Sequence, residues 1–293
     1  MHILFERIDA PAGRVLLRGL RALQADGEGR ALATLVSASP DLGQRQLLNP
    51  DGGLEGQLPQ ALQAPVQQAL QQALVERGTS LHRFQQAGSE VQVLVEYLAP
   101  ARRLVIFGGG HDAQPLVRMA KLLGWHVTVI DSRAHFARDS RFPDADQVLH
   151  GQLTDRFDPL PLLQGAAVAV MTHSLQQDAH WLACALASEA VYIGQLGPRD
   201  RTERLLREMT AERSVAPGLE RLYYPIGLDL GGDTPESVAM AILGEMTAVF
   251  NGRQGGMLKG RTSSIHDVSP THYHQFAADA EQQADPLLRT ETY

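Results

Sequence analysis

Apolar positions in the first hundred residues recur at helical and then at strand spacing. Leu16, Leu17, Leu20 and Leu23 share one helical face, 31–36 reads as a strand, and Asn49-Pro50-Asp51-Gly52-Gly53 reads as a turn. Leu62, Val66, Ala69, Leu70, Ala73 and Leu74 predict a second helix ending near Gly78, where a missing side chain permits a left-handed cap. Two strands follow, one over 81–87 and one in which Val91, Val93, Val95 and Tyr97 alternate with polar residues. Residues 1–98 therefore read as a small α+β domain. The Gln-rich stretch 57–72 keeps a helical period and reads as a solvated helix face.

Pro100 marks the domain boundary, because proline forces its neighbour out of helix. Beyond it the pattern alternates regularly: strands at 104–107, 126–131, 147–149, 166–171 and 191–194, with helices at 112–123, 175–188 and 198–213. A final helix opens at Thr234-Pro235-Glu236, an N-cap followed by proline in the first turn, and closes at Asn251-Gly252. Such alternation implies a parallel sheet covered on both faces. The fold class is α/β, with a Rossmann-like domain over 99–254 preceded by the small α+β domain. From 255 to 293 the chain is polar with little periodicity, which predicts a mobile tail whose one docking point is Ile265-His266.

Composition narrows the function classes. The 293 residues carry 26 Lys and Arg against 33 Asp and Glu, a formal charge of -7, which disfavours nucleic-acid binding through the phosphate backbone. One cysteine, Cys184, excludes an internal disulfide and a cysteine-based zinc cluster. No apolar run approaches the roughly 20 residues of a membrane helix, and 1–9 has no leader-like apolar core. The expectation is a cytoplasmic protein with neither nucleic-acid nor membrane partners.

The candidate chemistry centres on Phe107-Gly108-Gly109-Gly110-His111-Asp112-Ala113. Gly108 allows a tight exit from the strand, Gly110 allows a backbone to approach a phosphate, and Ala113 stands where helix meets strand. The following helix N-terminus directs amides at an anion; the plainer alternative is a tight turn with no ligand. Asp131 lies about twenty residues on, where such folds place an acid against a ribose 2′-OH, and Arg133 is equally placed for a 2′-phosphate. His111 sits inside the loop as an unusual donor. Thr172-His173-Ser174, with Asp178 beyond, follows a buried strand, so His173 is a candidate general base or positioning donor, and Thr172 or Ser174 a helix cap. Arg199 and Arg201 form a candidate anion clamp, and Pro225-Ile226-Gly227-Leu228-Asp229-Leu230-Gly231-Gly232 is a third glycine-rich loop. The tail histidines His266, His272 and His274 have no carboxylate or cysteine at ligand spacing, so no metal site is expected.

Gly108-Gly109-Gly110-His111, Thr172-His173 with Asp178, Tyr192-Ile193-Gly194-Gln195-Leu196-Gly197 and the third loop with Thr234-Pro235-Glu236 together resemble the XdhC/CoxI family of xanthine dehydrogenase accessory proteins. Asp131-Ser132-Arg133 and Arg141-Phe142-Pro143-Asp144-Ala145-Asp146 resemble further family segments in the same order. The resemblance implies a molybdenum cofactor (molybdopterin) chaperone rather than a catalyst. Such a chaperone delivers the cofactor to a molybdenum hydroxylase such as xanthine dehydrogenase and associates as a homodimer. It implies cofactor contacts from Gly108, Gly109, Gly110, His111, Asp131, Arg133, His173, Arg199, Gly227 and Asp229. The N-terminal half departs from the family pattern: Ser37-Ala38-Ser39-Pro40 and Gly56-Gln57-Leu58-Pro59 stand where relatives carry a Gly-Ser-x-Pro segment and a cysteine motif. The alternatives are an NAD(P)-dependent oxidoreductase using the same loop, with Asp131 on the ribose and His173 as acid–base, and a scaffold that recognises a partner without a small ligand.

Overall fold

The computed structural model describes residues 5–37, 39–86, 89–153, 157–212, 218–262 and 271–275. Ala38, Ala87, Arg213 and the Ile265-His266 pair lie outside the described residues. The chain divides into two units, Met1–Pro100 with Thr262–Tyr293, and Ala101–Arg261.

The first unit begins with helix α1 (Pro11–Asp26), continues through strands β1 (Arg30–Leu35), β2 (Arg45–Leu48) and β3 (Leu54–Gly56), and then helix α2 (Gln60–Glu76). Strands β4 (Ser80–Gln86) and β5 (Ser89–Leu98) follow. Period-2 geometry divides β1 between two cores: Ala31, Ala33 and Leu35 pack with Leu62, Val66 and Leu70 of α2, while Leu32 packs with Val15 and Leu47. The left-handed residue after α2 is Arg77 (φ 53°) rather than Gly78, because the helix stops at Glu76, one residue earlier than the glycine would require.

In the second unit β6 (Arg103–Phe107), helix α3 (Ala113–Leu122), β7 (His126–Asp131) and β8 (Gln147–His150) lead to the short helix α4 (Leu160–Leu163) and β9 (Ala167–Val170). Helix α5 (Leu175–Leu186), β10 (Tyr192–Gln195), helix α6 (Arg199–Glu212), β11 (Leu222–Tyr223) and helix α7 (Pro235–Phe250) complete it. The sheet order is β11-β10-β9-β6-β7-β8, every described pairing being parallel. This is the doubly wound order, with the chain reversing direction across the sheet between β6 and β9. Leu104 and Ile106 pack with Leu116 and Val117 of α3 and Ile242 and Met246 of α7, whereas Val105 and Phe107 pack with Trp181 and Leu182 of α5. Burial on both faces explains why these strands read as unbroken apolar runs. Thr234 caps α7 as the sequence predicts, its side chain accepting from the Ser237 amide.

The polar C-terminal stretch supplies strand β12 (Thr271–Gln275), which pairs parallel with β4 at the edge of the first unit's sheet, giving the order β12-β4-β5-β1-β2-β3.

Candidate functional site

The glycine loop lies at the switch point of the second unit's sheet, where doubly wound folds hold ligands. Gly108 has φ 115°, and a Cβ on it would sit 2.6 Å from the Met171 carbonyl oxygen at the end of β9. Only glycine fits so close an approach. Gly109 is held from the other side: its amide donates to Asp131 Oδ2 at 2.6 Å, and a Cβ there would meet the Phe136 carbonyl and the Phe142 ring. Gly110 is buried, and a Cβ on it would have only His173 Nε2 within 4 Å, at 3.4 Å. The structure thus brings His173 to the glycine loop; both His173 and His111 are exposed.

Asp131 is buried and its four acceptor positions are filled. Oδ1 accepts from the Arg133 amide at 2.8 Å and from Arg133 Nε at 3.0 Å; Oδ2 accepts from Gly109 and from Arg133 Nη2 at 2.8 Å. Burial pushes this carboxyl up, but the Arg133 side chain and the two amides outweigh it and hold the group below the usual carboxylate range. In this structure Asp131 fastens the loop to Arg133 instead of presenting a free acceptor to a ribose.

Asp178 faces away from the role of orienting His173. It is fully buried, accepts from the Thr172 hydroxyl and pairs with Arg201, whose Nη2 lies 2.6 Å from Oδ2. Ser174 caps α5 by accepting from the Gln177 amide. Arg201 is therefore separated from Arg199, which is exposed, lies over the Tyr224 ring and donates to the Tyr224 carbonyl at 3.2 Å. At the third loop Gly227 has φ 105° and its amide donates to Glu245 Oε2 at 2.9 Å, an oxygen that also accepts from the Tyr192 hydroxyl. Burial, and then the Glu245 hydrogen bond, push the Tyr192 phenol up. Asp229 is exposed. Glu245, and Arg141 with its Nη2 3.5 Å from the Gly109 carbonyl, are the residues of the candidate site that patterning alone misses; Arg141 falls in one of the family-like segments.

Strand order and loop geometry converge with sequence likeness, because residues 104–246 match the XdhC Rossmann domain. The chain carries an XdhC Rossmann domain. A Bacillus subtilis (strain 168) protein named as a probable subunit of xanthine dehydrogenase is 28% identical over 172 residues, covering 59% of this chain and 50% of the relative. The Escherichia coli (strain K12) uncharacterized protein YqeB is 25% identical over 256 residues, covering 81% of this chain and 47% of the relative. The crystal structure of a xanthine dehydrogenase from Bacillus halodurans matches with a TM-score of 0.64 at 25% identity, covering 84% of this chain and 69% of that one. The chain spans about half the length of the two curated relatives.

The donor set of the XdhC Rossmann domain fits the phosphate end of a ligand. The first turn of α3 has no acidic residue, its N-cap residue Asp112 makes no side-chain cap hydrogen bond, and Gly110 leaves an open approach beside it. It offers no thiolate: Cys184 lies in α5, and burial pushes its thiol up, away from the reactive form. Among the described residues no cluster of His, Cys, Asp or Glu is arranged to hold a metal ion, and no helix is long and apolar enough to cross a membrane.

The first unit has a cleft of about 1170 Å³ lined by Phe5, Arg14, Arg18, Arg45 and the Gly56-Gln57-Leu58-Pro59 segment. Its arginines are largely committed, Arg45 to Glu6 and Arg18 to Glu55. The segment itself is structural: Gln57 donates its amide to the Arg45 carbonyl, and Leu58 is fully buried. Large as it is, this cleft has its arginines taken up; at the glycine loop the Gly108, Gly109 and Gln114 amides are bonded to the Ile130 carbonyl, Asp131 and the His111 carbonyl, and the amides with no described acceptor are those of 110–113.

Proposed function

We propose that this chain is an accessory protein in the maturation of a molybdenum hydroxylase of the xanthine dehydrogenase type. In this reading it holds molybdenum cofactor by its phosphate end at the glycine loop, in the cytoplasm and as a homodimer, and passes it to the hydroxylase. The observation that carries the reading is the XdhC Rossmann domain with Gly110 open to His173 and the uncapped start of α3. The xanthine dehydrogenase names of two relatives support the choice of client. Amides near Gly110 and the imidazole of His173 bind and orient the phosphate, and Arg199, Gly227 and Asp229 are the further contacts that the family likeness suggests. The bound cofactor supplies the molybdenum–dithiolene chemistry to its eventual enzyme, and this chain need only bind, shield and release it.

The oxidoreductase reading is the less supported one. It needs Asp131 free for a ribose and an Asp178–His173 relay, whereas Asp131 is saturated by Arg133 and Gly109, and Asp178 by Thr172 and Arg201. The test is gel filtration of the purified chain after mixing with cofactor released from a molybdoenzyme. Molybdenum co-eluting with the protein is expected. Elution of all molybdenum in the small-molecule fraction, while a competent relative retains it in parallel, overturns the proposal.

A further inference from the structure

The glycine loop is bordered by two guanidinium groups set against one aromatic ring. Arg133 Cζ lies 3.8 Å from the Phe136 ring centroid and Arg141 Cζ lies 4.7 Å from the same centroid. Arg133 spends Nε and one Nη2 hydrogen on Asp131, leaving three of its five N–H donors, and its side chain is 34% exposed. Arg141 makes one long contact, Nη2 to the Gly109 carbonyl at 3.5 Å, and its Nε is buried without a partner. Buried donors are almost always satisfied, so an orphaned guanidinium N–H beside a ligand loop calls for an acceptor. Asp131 neutralises one of the two cations, and a positive charge remains.

We propose that Arg133 and Arg141 form a phosphomonoester site at the edge of the glycine loop. The inference rests on the reading of that loop as the ligand site, and it specifies the ligand's chemistry. A dianionic phosphate offers acceptors to both planar forks, which is the geometry guanidinium groups bind best. A bare ribose diol meets the reverse situation: its usual acceptor, Asp131, has no capacity while Arg133 is in place. The site therefore selects a phosphorylated ligand over its unphosphorylated counterpart. Two sources present this group: the 2′-phosphate of an adenine dinucleotide, and the single terminal phosphate of a pterin, which the two arginines would then share with the Gly110 amides and His173.

Calorimetric titration of the full chain with two matched pairs tests this and separates the sources. One pair is NADP+ against NAD+. The other is the oxidised, fluorescent pterin of the molybdenum cofactor before and after alkaline phosphatase treatment. The phosphorylated member of at least one pair is expected to bind tenfold or more tightly than its mate. Arg141→Met should remove at least tenfold of that affinity, and Arg141→Lys, which keeps the charge but loses the fork, should fall between. Arg133→Met should weaken the phosphorylated ligand and, by freeing Asp131, strengthen NAD+. Circular dichroism and melting of each variant show that the fold persists; if Arg141→Met does not fold, Arg141→Lys carries the comparison. Equal binding within twofold in both pairs, no binding of either phosphorylated ligand, or a preference that survives both Arg141 variants overturns the proposal. Molybdenum retention without phosphate preference removes this inference and leaves the accessory reading; phosphate preference without molybdenum retention does the opposite.

Discussion

Arg201 reaches from the first turn of α6 to place Nη2 2.6 Å from Asp178 Oδ2, joining the helix after β10 to the helix after β9. Asp178 is fully buried and the Arg201 side chain is 28% exposed, so the arginine is what makes the carboxylate tolerable there. Breaking a buried pair by removing one partner leaves an uncompensated charge. Arg201→Met is expected to cost about 3 kcal/mol, and to lower Tm by roughly 6–12 °C. The double variant Arg201→Met with Asp178→Asn should recover much of the loss, because no buried charge is left unpaired. Scanning calorimetry of the three variants checks both statements.

Two glycines two positions apart, Gly108 and Gly110, separate folding from binding. Alanine at Gly108 must accept φ 115° and a Cβ 2.6 Å from the Met171 carbonyl, so Gly108→Ala is expected to destabilise by at least about 2 kcal/mol. Alanine at Gly110 meets only His173 Nε2 at 3.4 Å, an ordinary contact, and its backbone lies outside the left-handed region. Gly110→Ala should therefore change stability by less than about 0.5 kcal/mol. Its methyl group stands in the open approach to α3, and molybdenum retention should fall about tenfold or more. Equal losses of stability in the two variants, read by thermal melting, would show that the loop's second role is structural as well.

The β6–α3–β7 arrangement is legible in the sequence because it is made of local signals: an unbroken apolar run, a glycine cluster and a second run ending in Asp131. The partners of those residues are not local, and that is where reading stops. Asp131 has the spacing of a ribose acid, yet the arginine two residues on folds back to fill it. Asp178 and His173 are close in sequence, yet the carboxylate turns to Arg201, 23 residues away. Glu245 joins Tyr192 and Gly227 across 53 and 18 residues, and in the sequence it is one polar position on an apolar helix. Strand β12 is hidden for another reason: Thr271-His272-Tyr273-His274-Gln275 is a polar edge strand, recognisable only once β4 is present to pair with it.

Glu245 Oε2 ties the buried Tyr192 hydroxyl and the Gly227 amide to one point, and so sets the third loop relative to the sheet. Tyr192→Phe removes a hydrogen bond to a charged acceptor and should cost about 1.5–3 kcal/mol. Glu245→Leu removes the acceptor itself, leaving the Tyr192 hydroxyl and the Gly227 amide unsatisfied, and should cost more than Tyr192→Phe. Urea denaturation followed by tryptophan fluorescence measures both. A Glu245→Leu variant as stable as the native chain would show that water replaces the carboxylate and that the loop is not held this way.

The edge strand brings a pH dependence with a definite sign. His82 on β4 is 3% exposed, lies 2.8 Å through Nδ1 from His274 Nε2, takes Ser80 Oγ at Nε2, and stacks on His272. Burial, followed by the charges that His272 and His274 can carry, lowers its pKa to about 4. In the unfolded chain the same imidazole titrates near 6.5. Between these values the unfolded state binds a proton that the folded state refuses, so the contribution is complete above about pH 6.5 and is lost as pH falls toward 4, at up to about 1.4 kcal/mol per unit. Amide exchange over residues 80–86, corrected for intrinsic rates, should therefore lose close to tenfold in protection per pH unit across that window. His82→Phe keeps the ring stack without the titration and should flatten the profile. A native profile that stays flat from pH 6.5 to 4.5 would mean that the imidazole is protonated in place, and that the β12–β4 edge tolerates the charge.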